Sequence, residues 1–437
     1  ESAGIFFVIM SYFGLLIWLG FEASRIRPGI FWVMTLWFFV GLFFQALVLN
    51  QAYHYGRYVM NYTFIFWIGW LAGIRFLVDR MRIVAIQKHI LLGSVLILVL
   101  VMMLNSSVLF SRNYGNDCHD ILSQQVAMGK YINNHLPQDA AIALNDAGAI
   151  AYYGNRYTYD LFGLTTRIAS PWKWDGEACI LEQILHLPPN QHPLRPDYFA
   201  IYPNWYTTIS SLAFLNEVTR FTVEEPSICG GTDKVLYQAH WADISDKALP
   251  YQFFTHYPSE RFIIHDSLDI AYRKDEQNHD YRMWNHNRVS HAGSDLIKYS
   301  GYEQLPAEIK ILDGGRVIEQ RQQFTVNHLQ EGIPLWIVRR AYGKTVSVGI
   351  SIDGIEVGRW EGTSHHLVYH DDGYEIPGVF IKDASCQISL EILQTNAGMG
   401  VSTEEDAPRV LQQIRSNQVF YYWFIQDRAS APIPYTQ

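Results

Sequence analysis

Residues 90–110 read ILLGSVLILVLVMMLNSSVLF, with no Asp, Glu, Lys or Arg among them. A hydrocarbon core about 30 Å thick is crossed by roughly 20 apolar residues of helix, so this stretch is long enough to span one. Three earlier stretches share its character: Ser2–Phe21, Gly29–Leu49 and Tyr58–Ile74 also lack acidic and basic residues. The third is the shortest, and Arg57 and Arg75 are placed to snorkel from its ends. Four transmembrane helices are therefore predicted, over residues 2–21, 29–49, 58–74 and 90–110. A long polar remainder follows the last of them.

The charge distribution agrees with that division. Residues 1–106 hold seven Lys/Arg and three Asp/Glu, a net of +4, against −13 for the rest of the 437-residue chain. An acidic extramembrane part argues against nucleic acid, whose binders present basic faces. Arg25 and Arg27 lie between the first two predicted spans, and Arg75, Arg80, Arg82 and Lys88 between the third and fourth. The positive-inside rule puts both loops in the cytoplasm, leaving the loop at 50–57 and everything after residue 110 outside. The expected location is a cell inner (plasma) membrane, multi-pass, with the large C-terminal part extracytoplasmic. Because the chain enters a span directly from Glu1, more of the bundle is expected upstream.

The remainder changes texture near residue 246. Over 112–245, helical spacing at 118–136 ends at Pro137, and short apolar runs follow at Ala141–Leu144, Tyr157–Leu161, Tyr198–Tyr202, Phe221–Val223 and Lys234–Gln238. This alternation predicts a soluble α/β domain. Asp146 fits the N-cap of a small-residue helix over Ala147–Tyr153, with Gly154 just past its end. Over 246–437, eight short strands are predicted: Glu308–Leu312, Val317–Val326, Leu335–Arg339, Val346–Ile352, Ile355–Trp360, Gly378–Ile381, Gln387–Leu393 and Val419–Ile425. Asp353-Gly354 joins two of them as a hairpin turn. An all-β sandwich, jelly-roll-like, is the expected architecture, with one helix at Glu404–Ser416.

Four cysteines, Cys118, Cys179, Cys229 and Cys386, form no Cys-x-x-Cys pair, so zinc has no support from them. One disulfide suits an oxidising exterior, Cys179 with Cys229 as first candidate and Cys118 as a competing partner, while free buried thiols are an equal alternative. His365, His366, His370, Asp371 and Asp372 cluster in the sequence. Asp371-Asp372-Gly373 reads as a hairpin turn, so no metal site is assigned. The chain has no phosphate-binding glycine loop, serine elbow or dinucleotide fingerprint, hence no predicted cofactor.

The loop Gln51–Tyr58 gathers His54, Arg57 and three tyrosines at the membrane surface. A guanidinium gives bidentate hydrogen bonds to a lipid phosphate, and tyrosines sit at headgroup level. An ordinary interfacial anchor has the same composition. In the exterior part, Trp172 and Trp174 offer ring faces to sugars or pack as core. Asp146 and Asp160 are candidate acceptor contacts, or a cap and a turn.

His54-Tyr-Gly-Arg-Tyr58, Tyr131-Ile-Asn-Asn-His-Leu-Pro137, the run Ile142–Gly154, Asp160-Leu-Phe-Gly-Leu164 and the segment from His265-Asp-Ser-Leu-Asp-Ile270 through Glu276, His279 and Tyr281 occur in this order. Together they resemble bacterial GT-C glycosyltransferases, polytopic enzymes that use polyprenyl-phosphate sugars, with the mycobacterial arabinofuranosyltransferase-like members a close comparison. The resemblance covers residues 50 to about 285. It implies that Arg57 holds the donor phosphate, with His54 and Tyr58 assisting, and that the donor is a polyprenyl-phosphate sugar and the acceptor a glycan. Its catalytic carboxylate belongs to an exterior loop that no position here matches, so the catalytic residue is expected upstream of this chain. Without that loop, the alternative expectation is a non-catalytic scaffold or accessory subunit of a membrane complex, held by the bilayer and other membrane subunits.

Overall fold

The computed structural model describes residues 78–167, 176–188, 194–285, 288–289, 295–365, 367–393 and 417–428. The chain divides into two compact units, Glu1–Tyr114 and Gly115–Gln437. Three of the four expected spans, 2–21, 29–49 and 58–74, lie outside the described residues, as does the expected helix Glu404–Ser416. The fourth lies within helix α1, Ala85–Ile121. Among its described side chains, Ile90, Leu96, Ile97, Leu100, Met103 and Phe110 are each more than half exposed. A helix hydrophobic on every side is either a protein core or a membrane span, and none of its apolar window is buried. It is long and apolar enough to cross a membrane.

The helix continues through a π-helical turn, Leu122–Val126, into α2, Ala127–His135, where Leu136 turns extended before Pro137. The turn draws Gln124 and Gln125 into the interior. Beyond it lies a five-stranded sheet ordered β2-β1-β3-β5-β4. Its strands are β1 (Ala141–Leu144), β2 (Tyr157–Asp160), β3 (Tyr198–Ile201), β4 (Leu215–Thr222) and β5 (Asp233–Ala239). The first three run parallel, while β5 is antiparallel to both neighbours. Helix α3 (Ala149–Gly154) and α2 cover one face, burying Met128, Ile132 and Ile150 against Ile142, Leu144 and Leu236. Gly148 caps α3 without a side-chain bond, so Asp146 is not its cap, and Asn155 takes the left-handed position (φ 47°) assigned to Gly154. Gly154 is needed instead for close packing, since a Cβ there would sit 3.3 Å from Ile132.

The other face of the sheet meets helix α4, Glu177–Leu185, which carries two buried polar residues and gave no helical signal in the sequence. Ala178, Leu181 and Ile184 fill the space between Phe199, Ile201 and Tyr237 of the sheet and Ile297 and Leu312 of the β-region.

That β-region is two facing six-stranded sheets. One comprises β6 (Phe262–Asp269), β9 (Asp295–Gly301), β10 (Lys310–Val317), β12 (Leu335–Tyr342), β15 (Tyr369–Ile376) and β17 (Gln418–Asp427). The other comprises β7 (Arg282–Asn285), β8 (Arg288–Val289), β11 (Arg321–Val326), β13 (Val348–Ile352), β14 (Ile355–Trp360) and β16 (Cys386–Ile392). Leu268, Ile337, Tyr422 and Phe424 of the first meet Phe324, Ile350, Ile388 and Leu390 of the second. Asp353 (φ 48°) and Gly354 (φ 80°) form the expected hairpin, whose primed geometry suits that pair of residues. Two expectations fail here. Gly378–Phe380 is a 3-10 turn rather than a strand. Asp371-Asp372-Gly373 lies inside β15, in register with Val338–Arg340, rather than in a hairpin turn.

Candidate functional site

Strand β1 pairs with β2 on one side and β3 on the other, so the sheet reverses its direction of growth at the carboxyl end of β1. Open α/β sheets receive ligands at such switch points. Asn145 and Asp146 follow β1, Tyr202 follows β3, and Lys234 on β5 reaches across to them. Its ammonium donates to Asn145 Oδ1 (2.7 Å) and lies 3.9 Å from the Tyr202 ring centre. Burial pushes this lysine down to about 7. From the π turn, Gln125 donates to the Asp146 carboxylate and to Tyr202 Oη (2.6 Å). Asp146 is thus a member of a closed polar network. The Gln125 carbonyl and the Asn145 amide nitrogen stay without a hydrogen-bond partner.

Asp160, also proposed for an acceptor, is buried at the end of β2. Its carboxylate accepts from the backbone N–H groups of Phe162 and Thr165, both at 2.9 Å, and so closes the turn after the strand. Arg57, His54, Tyr58, Trp172 and Trp174 lie outside the described residues. Cys179 and Cys229 do not form the expected bridge: both are free thiols. Cys179 is buried in helix α4 with Arg316 Nη2 3.4 Å away, whereas burial raises the Cys229 thiol to about 11.

A second constellation combines residues that no single sequence motif brought together. A cleft of about 440 Å³ is walled by His186, Trp241, Asp246 and Tyr421 and floored by Lys247 and Asp269. Lys247 reaches inward to three carboxylates: Glu182 from α4, Asp269 at 2.6 Å from the end of β6, and Asp313 at 3.3 Å from β10. Glu182 also accepts the Gly314 N–H at 2.6 Å, tying α4 to β10. Arg340 pairs with Asp313 at 2.7 Å and receives support from Tyr302 Oη, which donates to Asp371 at 2.9 Å.

Four carboxylates here face two permanent cations. Burial, and then the neighbouring Glu182 charge, hold Asp269 well above the carboxylate range. Burial likewise raises Glu182 to about 7 and Asp371 to about 6. Burial and then Lys247 press His186 down to about 4, so its ring is neutral at physiological pH. A neutral ring places its one proton on Nδ1, where the Glu182 carbonyl accepts it (2.9 Å), and turns Nε2 as an acceptor toward Asp269 Oδ2, 3.4 Å away. A protonated Asp269 satisfies that geometry.

Glu182, His186 and Asp269 bring their ligand atoms within 4.8 Å of one another, a spacing that could hold a divalent cation. The Lys247 ammonium already contacts two of the three, Glu182 and Asp269, so the group works as an ion hub. The cleft offers hydroxyl-bearing ligands an acceptor (Asp246) and an indole edge.

Residues 119–285 match the model of a family described as a domain of unknown function (DUF8728). That span includes the whole α/β layer, His186, Trp241, Lys247 and Asp269. No curated protein matches the chain. Among solved structures, the chain is similar to a family 35 carbohydrate-binding module from Clostridium thermocellum, at 8% identity over 30% of this chain and 87% of that one, with a TM-score of 0.19. It is similar also to a module of family 36 from a multidomain xylanase of the Trinervitermes trinervoides hindgut metagenome (11% identity, 32% and 94% covered, TM-score 0.17). A family 4 carbohydrate-binding module gives 12% identity, 38% and 96% covered, and a TM-score of 0.20.

Proposed function

We propose that this chain is the C-terminal portion of a multi-pass GT-C glycosyltransferase in the inner membrane, and that its extracytoplasmic body binds the glycan acceptor in the Trp241–Lys247 cleft. The donor is a polyprenyl-phosphate sugar whose phosphate is held by the Arg57 loop. The observation that carries the acceptor reading is the composition of the cleft. Its volume suits one or two sugar rings, and it sets aromatic walls beside Asp246, whose carboxylate suits hydroxyls. The apolar helix α1 supports the membrane setting.

The test uses the full chain in lipid nanodiscs. Neutral oligosaccharides are titrated while tryptophan fluorescence and saturation-transfer NMR are followed. Saturable binding weakened about tenfold by Trp241→Ala is expected, the scale of one lost aromatic contact. Equal binding to parent and variant, or none to either, would remove the cleft from the reading.

A second reading, a non-catalytic accessory subunit of a membrane complex, is favoured by one observation. The cleft carboxylate Asp269 and its neighbours Glu182 and Asp313 are all engaged by Lys247, which leaves the hub without an independent acid and base. Turnover of a polyprenyl-phosphate sugar by the nanodisc preparation, lost on Arg57→Ala, separates the enzyme from the scaffold.

A further inference from the structure

A second, smaller pocket of about 320 Å³ lies over helix α5, Arg273–Asn278, and is lined by Arg273, Glu276, Asp280, Tyr281, Arg282 and Arg316. Its chemistry differs from that of the Lys247 cleft. Three guanidiniums come from three elements: Arg273 opens α5, Arg282 begins β7 and Arg316 belongs to β10. Glu276, the nearer carboxylate, is fully committed. It receives Arg316 Nε (2.6 Å) and Nη2 (3.1 Å) and the Ala271 N–H (3.1 Å).

Arg316 is 1% exposed, yet its Nη1 has no hydrogen-bond partner. A buried guanidinium nitrogen left unsatisfied costs on the order of 1–3 kcal/mol, and native structures meet that cost where a ligand or water completes the set. Here the orphan nitrogen belongs to a residue that lines the pocket, beside two further cations.

We propose that this pocket binds a small oxyanion group, a phosphate or a carboxylate, on Arg316 Nη1, with Arg282 and Arg273 completing the cradle. Guanidiniums grip such groups through paired, charge-assisted hydrogen bonds. The volume leaves room for a single sugar ring carrying the anion. The site is independent of the saccharide cleft: it shares no lining residue with it, and either could fail alone.

The test is calorimetric titration of the full chain in nonionic detergent with inorganic phosphate, with glucuronate and with glucose. Saturable binding of phosphate or glucuronate is expected, weakened about tenfold or more by Arg282→Gln and by Arg273→Gln, one charge-assisted contact each. Tighter phosphate binding points to a phosphorylated ligand, tighter glucuronate binding to an acidic sugar, and both support the pocket. Phosphate carries no ring for the Trp241 cleft, so that arm reports on the arginines alone. The proposal is overturned if neither anion saturates, or if both variants, shown folded by circular dichroism, bind as the parent does, or if glucose competes for the phosphate site.

Discussion

Asp313 and Arg340 face each other at 2.7 Å with neither side chain reaching solvent. They sit on β10 and β12, the strands flanking β17, so the pair braces the middle of one sheet. Such a pair adds little over a well-packed apolar pair, but losing one member strands the other charge in a low-dielectric interior.

Arg340→Met is therefore expected to destabilise the body by about 3–5 kcal/mol, read as a lower urea midpoint at unchanged slope. Adding Asp313→Leu to the same chain recovers part of the loss, because it removes a buried carboxylate left with only the more distant Lys247 (3.3 Å). A double variant no better than the single would show that the cost lies in packing instead.

The raised carboxyl of Glu182 has a pH signature. Its folded value, about 7, exceeds the ordinary glutamate value of 4.5, so the folded state binds the extra proton between those limits. Stability from this group is present below pH 4.5 and lost as pH rises through 7, on the order of 3 kcal/mol in all. Comparing thermal midpoints of the parent and Glu182→Gln from pH 4.5 to 8 should show the parent losing ground to the variant with rising pH.

Lys234 acts in the opposite sense. With a folded value near 7 against 10.5, the unfolded chain holds the proton between those limits, so stability rises from pH 7 to 10.5. Lys234→Met removes this dependence, and its advantage over the parent is greatest at and below pH 7. A parent–variant difference that stays constant across that window would mean that the lysine keeps its charge when folded.

Gly129 lets α2 and α3 touch. A Cβ there would stand 2.9 Å from Tyr153 Cβ and 3.2 Å from two carbonyl oxygens of α3, none of which can swing aside. Gly129→Leu is expected to cost about 1–3 kcal/mol by overpacking, measured by chemical denaturation. Gly148→Ala, at a position with open space around it, serves as the comparison and should cost far less.

The parts of this fold legible in the sequence were those decided locally. Ala141–Leu144 and Tyr198–Ile201 are short runs buried almost throughout, and Asp353-Gly354 has a turn chemistry that needs no tertiary partner. Strand β15 was missed because His370, Asp371 and Asp372 look like solvated turn residues. They are tolerated in a strand because Asp372 reaches Arg339 (2.8 Å) and Trp360 (3.0 Å), while Asp371 receives Tyr302, and these partners lie 12 to 69 positions away. Helix α4 was missed for a related reason: Glu182 breaks its apolar pattern, and its justification, Lys247, comes 65 residues later. The sequence singled out Asp146 and Asp160, which serve the polar network after β1 and the turn after β2. It did not find His186, Lys247 or Asp269, since nothing about an isolated lysine or aspartate announces a shared charge. The strongest available hint was the Asp269 neighbourhood, within a segment whose resemblance drew attention to His265–Ile270.

Glu182 and Lys247 belong to the layer of helices and parallel strands, and Asp269, Asp313 and Arg340 to the strands that follow. A piece cut at 285, where the recognised family match stops, would keep the first three of these residues and discard the last two together with β17, the strand that β6 lies against. Inheritance of the front half by itself, or its production as a laboratory fragment, would thus leave an uncompensated charged seam in place of an interior. Gene-level shuffling has to move the two halves as one cassette.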